Sequence, residues 1–247
     1  MKNPNFYAII IGTELLNGRR EDQHFTYVNN ALTKRGWTQK ASFIIDDEPA
    51  FIEKIFSLVK DDPHSVLFCF GGIGSTPDDY TRQAAANIFD DGKLELHTEA
   101  AKCIISTLGE NVDPLRLAMG YFPKQSDLLK NVINNIPGFS LENRFFFMPG
   151  FPSMSHPMVD EALNRYFPHG NAKFRRILKI AASEGTFLEL MTQIPHTIEF
   201  SSLPHIDNHK KEVEISFASY HKEDVDHWIK RFIDECQERN ISYEESK

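Results

Sequence analysis

Short apolar runs separated by segments of helical pattern are the feature that most narrows what this chain can fold into. Residues 6–11, 37–45 and 66–70 are strand-like, rich in branched and aromatic side chains. Between them, 22–35 has a helical pattern stopped by Gly36, and 49–60 repeats apolar residues at Phe51, Ile52, Ile55, Phe56 and Val59. A further helix is predicted over 77–89, and "SDLLKNVI" and "RFFFMPG" read as strands bordering the same core. Strands alternating with helices imply parallel pairing through right-handed crossovers, hence an α/β sheet with helices on both faces. Ligands of such sheets bind beyond the carboxyl ends of the strands. That places Gly12, Thr13 and Glu14, Asp46 and Asp47, residues 71–79 and residues 149–152 along one edge.

The stretch "RYFPHGNAKF" breaks this pattern with Pro, Gly and Asn and reads as a linker, giving domains at 1–168 and 169–247. The second is a small α+β unit. It has strands at 176–181, 197–203 and 212–218, helices near 184–193 and 222–237, and a polar loop, "PHIDNHKK", that carries Lys210 and Lys211. The formal net charge of -8 argues against non-specific nucleic-acid binding, which requires a basic surface. No apolar run approaches the roughly 20 residues of a membrane span. At the N-terminus the apolar stretch is only 6–11, followed by Glu14, so a buried strand is the better reading than a secretory signal. Cys69, Cys103 and Cys236 are far apart and odd in number, which predicts reduced thiols and a cytoplasmic location. The 10 histidines show no zinc-ligand spacing.

Directly after the strand "SVLFCF" comes "GGIGSTPDD". Thr76 suits a helix N-cap, Pro77 a first helical position, and Asp78 and Asp79 a first turn, so one reading of the aspartates is helix capping. Gly71, Gly72 and Gly74 let the backbone approach a ligand and adopt positive φ, and N–H groups at a helix start favour anions. The loop is neither a Walker A sequence nor a GxGxxG fingerprint. Two carboxylates beside a phosphate repel it unless a divalent cation joins them, and Mg²⁺ is commonly held by one or two carboxylates plus substrate phosphates. A metal–phosphate complex satisfies both features.

The motifs "GTELLNGRREDQHFTYVNNALTKRGW", "IIDDE", "GGIGSTPDDYT", "NVINNIPGF" and "FFFMPGFPSM" occur in an order and spacing that resemble the CinA amino-terminal family, of the MoaB/Mog molybdopterin-binding fold. The resemblance covers roughly 6–165. The tail is similar to the small domain that follows this fold in CinA proteins and in the molybdopterin-binding-like part of animal FAD synthases. It does not extend to the NMN deamidase domain that many CinA proteins carry.

The resemblance implies a three-layer αβα fold, a homo-oligomer, and a ligand bearing phosphate or pyrophosphate on a flat heterocycle. By the same resemblance, Gly12, Thr13 and Glu14 match the "GTELL" turn, Asp22 the acidic residue of a "DTN" element, and Asp46 and Asp47 a "DD" pair. Residues 71–79 match the "GGLGPTPDD" loop, and Pro137, Gly138, Pro149, Gly150, Pro152 and Ser153 match two later Pro-Gly turns. His24 stands where that family has Asn, Ser75 where it has Pro, and Asn134-Asn135 where it commonly has Gly-Thr. The reading that follows is hydrolysis of a nucleotide pyrophosphate such as ADP-ribose or FAD. A divalent metal (Mg, Mn or Co) would be held by Asp47, Asp78 and Asp79, with Glu14 assisting, and Asp47, Asp79 and Glu14 would supply the catalytic carboxylates. Gly12, Thr13, Asp22, Gly71, Gly72, Gly74, Ser75, Thr76, Pro149 and Gly150 would contact phosphate or ligand. The alternatives are a molybdopterin-binding or biosynthetic protein and a non-catalytic paralogue. His24 reads as a surface residue of the first helix, with ligand contact or general-acid work near neutral pH as its other roles. Arg82 is a candidate for phosphate or a neighbouring carboxylate, and Arg116 carries the same alternatives.

Overall fold

The computed structural model describes residues 4–207 and 210–246. The chain forms two compact units, Met1–Gly170 and Asn171–Lys247. The first contains β1 (Asn5–Ile11), α1 (Thr13–Leu16), α2 (His24–Lys34), β2 (Gln39–Ile45), α3 (Pro49–Lys60), β3 (Ser65–Phe70) and α4 (Thr81–Phe89). It continues with β4 (Leu94–Leu96), α5 (Thr98–Leu108), α6 (Pro114–Leu117), β5 (Tyr121–Pro123), β6 (Asp127–Leu129), β7 (Gly138–Leu141), β8 (Phe145–Met148) and α7 (Pro152–Tyr166).

Its main sheet has the order β2-β1-β3-β8-β7-β6. Strands β2, β1, β3 and β8 pair in parallel, and β7 runs antiparallel to both neighbours. Strands β1, β3 and β8 are buried on both faces, which is why they read as continuous apolar runs, whereas β2, at the sheet edge, is only half-buried. Alternate residues of each strand serve opposite layers. Tyr7, Ile9 and Ile11, with Leu67, Cys69, Phe145 and Phe147, pack against Ile52, Phe56 and Val59 of α3 and Ala85 and Phe89 of α4. Phe6, Ala8 and Ile10, with Phe68, Phe70, Phe146 and Met148, pack against Val28 and Leu32 of α2 and Met158, Ala162 and Leu163 of α7. The unit is thus a three-layer αβα sandwich.

Helix α3 shows why the local sequence suffices in places. Pro49 opens it, and the Glu48 carboxylate accepts the N–H groups of Ala50 (3.2 Å) and Phe51 (2.7 Å). Its buried residues, Ile52, Ile55, Phe56 and Val59, follow the helical repeat. Strand β1 lies between β2 and β3, and the helices that follow β1 and β3 pack on opposite faces. That is a topological switch point, and it opens a crevice at the carboxyl ends of the strands.

Three expectations are corrected. The sheet is not all parallel, because Glu142 (φ 52) and Asn143 (φ 54) form a tight turn that sends β8 back along β7. The helix predicted from residue 77 begins at Thr81, because the Asp79 side chain engages the N–H groups of the loop ahead of it. The strand read over 126–133 is only Asp127–Leu129, and turns follow it.

The second unit contains β9 (Phe174–Ile180), α8 (Leu188–Met191), β10 (Glu199–Asp207), β11 (Lys210–Ser219), α9 (Lys222–Glu238) and β12 (Tyr243–Ser246). Its antiparallel sheet, ordered β10-β11-β9-β12, is covered by Val225, Trp228, Ile229 and Phe232 of α9. The hairpin strands extend into the segment read as a loop: 204–207 belong to β10, and Lys210 and Lys211 to β11. Residues 208–209 of that loop lie outside the described residues. The helix read near 184–193 is a 3₁₀ turn at Glu184–Phe187 followed by the short α8.

Candidate functional site

A cleft of about 410 Å³ lies in the first unit at the carboxyl ends of the parallel strands. Its lining includes Gly12 and Glu14 after β1, Asp47 after β2, Gly71, Gly72, Ile73, Gly74, Ser75, Thr76, Asp78 and Asp79 after β3, and Pro149 and Gly150 after β8. Of the residues singled out from sequence, Thr13, Asp22, Asp46, Gly138, Pro152 and Ser153 are absent from this lining, as are His24, Arg82 and Arg116. The N–H and hydroxyl of Thr13 both donate to Asp47 Oδ2 at 2.8 Å, so Asp47 anchors the start of α1. The Asp22 carboxylate accepts the N–H groups of His24 (2.8 Å) and Phe25 (3.0 Å), and it lines a smaller cavity of about 20 Å³ beside the cleft. Arg116 stands with Ser75 around an adjoining hollow, outside the cleft itself.

The glycine loop is shaped by close approaches. At Gly71 (φ +97) a Cβ would come within 2.4 Å of the Ile11 carbonyl oxygen, and at Gly72 (φ +67) within 2.1 Å of Thr81 Oγ1. Both positions therefore require glycine. Thr81 closes the loop from the helix side: its hydroxyl donates to the Gly71 carbonyl (2.9 Å) and its N–H to that of Gly72 (3.0 Å).

Asp79 explains why α4 starts late. Its Oδ1 accepts the Gly74 N–H (2.9 Å), and its Oδ2 accepts both the Thr76 N–H (2.7 Å) and the Thr76 hydroxyl (2.5 Å). Of the reciprocal pair that would cap a helix at Thr76, one half is formed, since the Asp79 carboxylate does reach back to the Thr76 N–H. A side chain that satisfies loop donors in this way competes with helical continuation, so 76–80 remain a turn. Asp78, by contrast, is exposed and lines the cleft. The Thr76 hydroxyl, aided by the Asp78 backbone N–H, holds its carboxyl below the ordinary value. Because that hydroxyl has one proton and its 2.5 Å contact is to Asp79, its support for Asp78 is shared and weak.

Arg82 touches neither ligand space nor a carboxylate partner as a hydrogen-bond donor. Its buried guanidinium donates through Nη1 to the carbonyls of Ile73 and Gly74 (2.6 Å for the latter). In a trans peptide the C=O and the following N–H point to opposite sides. Arg82 therefore turns the N–H groups of Gly74 and Ser75 away from itself. The first meets Asp79, and the second makes no hydrogen bond among the described residues.

Arg20, which sequence reading passed over, supplies the cleft's cation. It lies 3.7 Å from Glu14, donates to the Gly150 carbonyl at 3.2 Å, and its guanidinium carbon stands 5.5 Å from the Phe151 ring centre. Nothing in the sequence marks Met119, Ile136 and Met154 as apolar lining or singles out the Asn131 amide, whereas Asn134 stands out there as a departure from the family pattern and Phe151 falls within the edge segment 149–152. Apart from Met154, in the first turn of α7, these come from connecting segments whose meeting place only the fold reveals.

His24 corrects an expectation. It is 3% exposed, stacked on Phe70 with ring centres 4.2 Å apart, with Nε2 3.3 Å from the carbonyl oxygen of Gly150. Burial pulls its pKa down to about 4, against the opposing pull of the Gly150 carbonyl and Asp22. It is a neutral wall residue behind the cleft, not a surface residue.

The carboxylates expected to hold a metal together are differently employed. Among the described residues no three His, Cys, Asp or Glu side chains form a group that could hold a metal ion. Asp79 has both oxygens engaged by its own loop. Asp47 has one oxygen engaged by Thr13.

Comparison with known proteins fits this architecture. Residues 7–169 match the family described as "Probable molybdopterin binding domain". A protein of Caldivirga maquilingensis is 29% identical over 244 residues, covering 92% of this chain and 93% of its own. A CinA-like protein of Dictyoglomus thermophilum is 24% identical over 245 residues, covering 94% of this chain and 59% of its own. A competence-damage inducible protein of Clostridium tetani is 25% identical over 221 residues, covering 86% of this chain and 53% of its own. The chain thus spans little more than half the length of the last two. The crystal structure of CinA from Thermoplasma acidophilum, whose function is unknown, shares the fold, with a TM-score of 0.59 at 24% identity over 66% of this chain and 98% of that one. With the family matched over more than half its length and CinA-like proteins among its relatives, the chain belongs to the molybdopterin-binding-domain family of MoaB/Mog-like fold, on its CinA side.

Proposed function

We propose that the cleft binds a phosphate-bearing planar heterocycle together with a divalent cation, and that it hydrolyses a nucleotide pyrophosphate such as ADP-ribose or FAD. The observation that carries this reading is the charge of the cleft. Glu14, Asp47, Asp78 and Asp79 stand against the single guanidinium of Arg20 around a glycine loop built for close approach. A phosphate cannot enter such a lining favourably unless a cation accompanies it.

The donor set fits a cation that arrives with its phosphate, since Mg²⁺ needs only one or two carboxylates beside phosphate oxygens and water. Asp78 and the second oxygen of Asp47 would hold it, and it would neutralise charge on the leaving phosphate and acidify a bound water. Asp79 serves instead to set the loop. The Ser75 N–H, kept outward by Arg82, is available to a phosphate oxygen, and Met119, Ile136 and Met154 offer an apolar face to the heterocycle. Hydrolysis adds water across the P–O–P link, giving AMP and ribose 5-phosphate or FMN.

The test is AMP release from ADP-ribose and FAD with Mg²⁺, Mn²⁺ or Co²⁺, in the wild type and in Asp78→Asn. Metal-dependent AMP formation that falls at least about tenfold in the variant, with an unchanged melting temperature, is the expected outcome. No AMP from the wild type, with a fluorescent pterin retained on purification, would favour a molybdopterin-binding role for the same cleft.

A further inference from the structure

We propose that Asn131 reads the heterocycle in this cleft, admitting ring edges that present a hydrogen-bond acceptor. The inference rests on the reading that the cleft takes a phosphate-bearing heterocycle. Asn131 follows β6, is 2% exposed, and belongs to the cleft lining. Its Oδ1 accepts the Ile133 N–H at 3.0 Å, and its main-chain oxygen accepts the Asn135 N–H at 3.0 Å. The Ile133 N–H fixes which way the amide faces, because the opposite orientation would set two donors against each other. The remaining group is Nδ2, shut off from solvent and without a hydrogen-bond partner among the described residues. Buried amide donors are almost always satisfied, so an orphan on a cleft wall points to a ligand that completes it.

Asn134 repeats the arrangement. Its Oδ1 accepts the Ile136 N–H at 3.1 Å, while its Nδ2 has only the Met154 sulfur, at 3.8 Å. Both asparagines therefore spend their acceptors on the backbone of one loop and keep their donors. Met119, Ile136 and Met154 bring no competing acceptor of comparable strength. The ring that fits carries a carbonyl oxygen or an unprotonated ring nitrogen on the edge facing this loop. A small adjustment of the wall accompanies its entry, since solvent does not reach Nδ2 beforehand.

Asn131→Asp isolates the donor. Aspartate keeps the acceptor that Ile133 requires, so the turn is retained, but it offers no N–H to a ring. Binding of FMN, AMP and inorganic pyrophosphate, each with Mg²⁺, is measured by calorimetry on the full chain. The expected result is a loss of about tenfold or more for FMN or AMP, with pyrophosphate weakened by less than about threefold. Pyrophosphate controls for the added negative charge, because it has no ring. Unchanged FMN and AMP affinity would show that Nδ2 meets only water or nothing. An equal loss for all three would show a charge effect. Either result overturns the assignment while leaving the cleft's phosphate role intact, whereas a wild type that binds none of the three removes that role and this inference with it. Should Asn131→Asp fail to fold, Asn131→Ser, whose hydroxyl can accept the Ile133 N–H but is too short to reach the ring, is read against the same outcomes.

Discussion

At the scale of single residues, Asp78 and Asp79 are neighbours with separate work. Asp79 accepts two N–H groups and a hydroxyl from its own loop, whereas Asp78 is exposed toward the cleft. Asp79→Ala should cost about 1–3 kcal/mol of stability by stranding those donors, while Asp78→Ala should change stability by less than about 0.5 kcal/mol. Urea unfolding of both variants checks this difference. Both carboxylates are legible in the sequence, with helix capping and metal binding as their two readings, but a sequence does not show which oxygens are already engaged. His24 was misplaced for a related reason: a lone polar residue at a helix start gives no sign of an aromatic ring waiting above it. Its folded pKa of about 4 lies below the ordinary 6.5, so the unfolded chain binds the extra proton between those values. Stability is therefore full above pH 6.5 and declines as pH falls toward 4, by roughly 3 kcal/mol from this residue. His24→Phe, which keeps the ring stack on Phe70, should flatten that part of the profile of unfolding midpoint against pH.

The elements were legible where one segment carried its own instructions. Helix α3, with its Pro, its cap and its repeat, agrees with the predicted 49–60. Strand β7 and helix α7 were not predicted as elements. Four residues are too few to show a period, and His156 and Pro157 interrupt the apolar pattern of α7. The connection between β3 and α4 was read as a helix start because its residues suit one, and it became a loop because two side chains hold its peptides elsewhere. Asp79 takes the donors, and Arg82 takes the carbonyls of Ile73 and Gly74. Arg82→Met should destabilise the fold by about 1–3 kcal/mol and weaken pyrophosphate binding, since the Ser75 N–H is then free to turn. Arg82→Lys, which can still reach one carbonyl, should recover part of both. Chemical denaturation and calorimetry on the two variants separate the structural loss from the binding loss.

At the scale of the whole molecule, the two units have separate cores, and every residue lining the cleft belongs to the first. A chain ending at Gly170 should therefore unfold cooperatively by itself and bind Mg²⁺–pyrophosphate within about threefold of the full protein, as calorimetry would show. The acidic cleft sits on a chain of net charge -8, so its field repels a bare anion from a distance. Raising ionic strength should then speed the arrival of a metal-free nucleotide, the reverse of the usual salt effect on a phosphate site, while its cation complex is little affected. Stopped-flow binding at two salt concentrations would reveal the sign. Under the proposed reading, four carboxylates around a glycine loop make the cleft a charge filter, which turns back a bare anion and passes one whose cation travels with it.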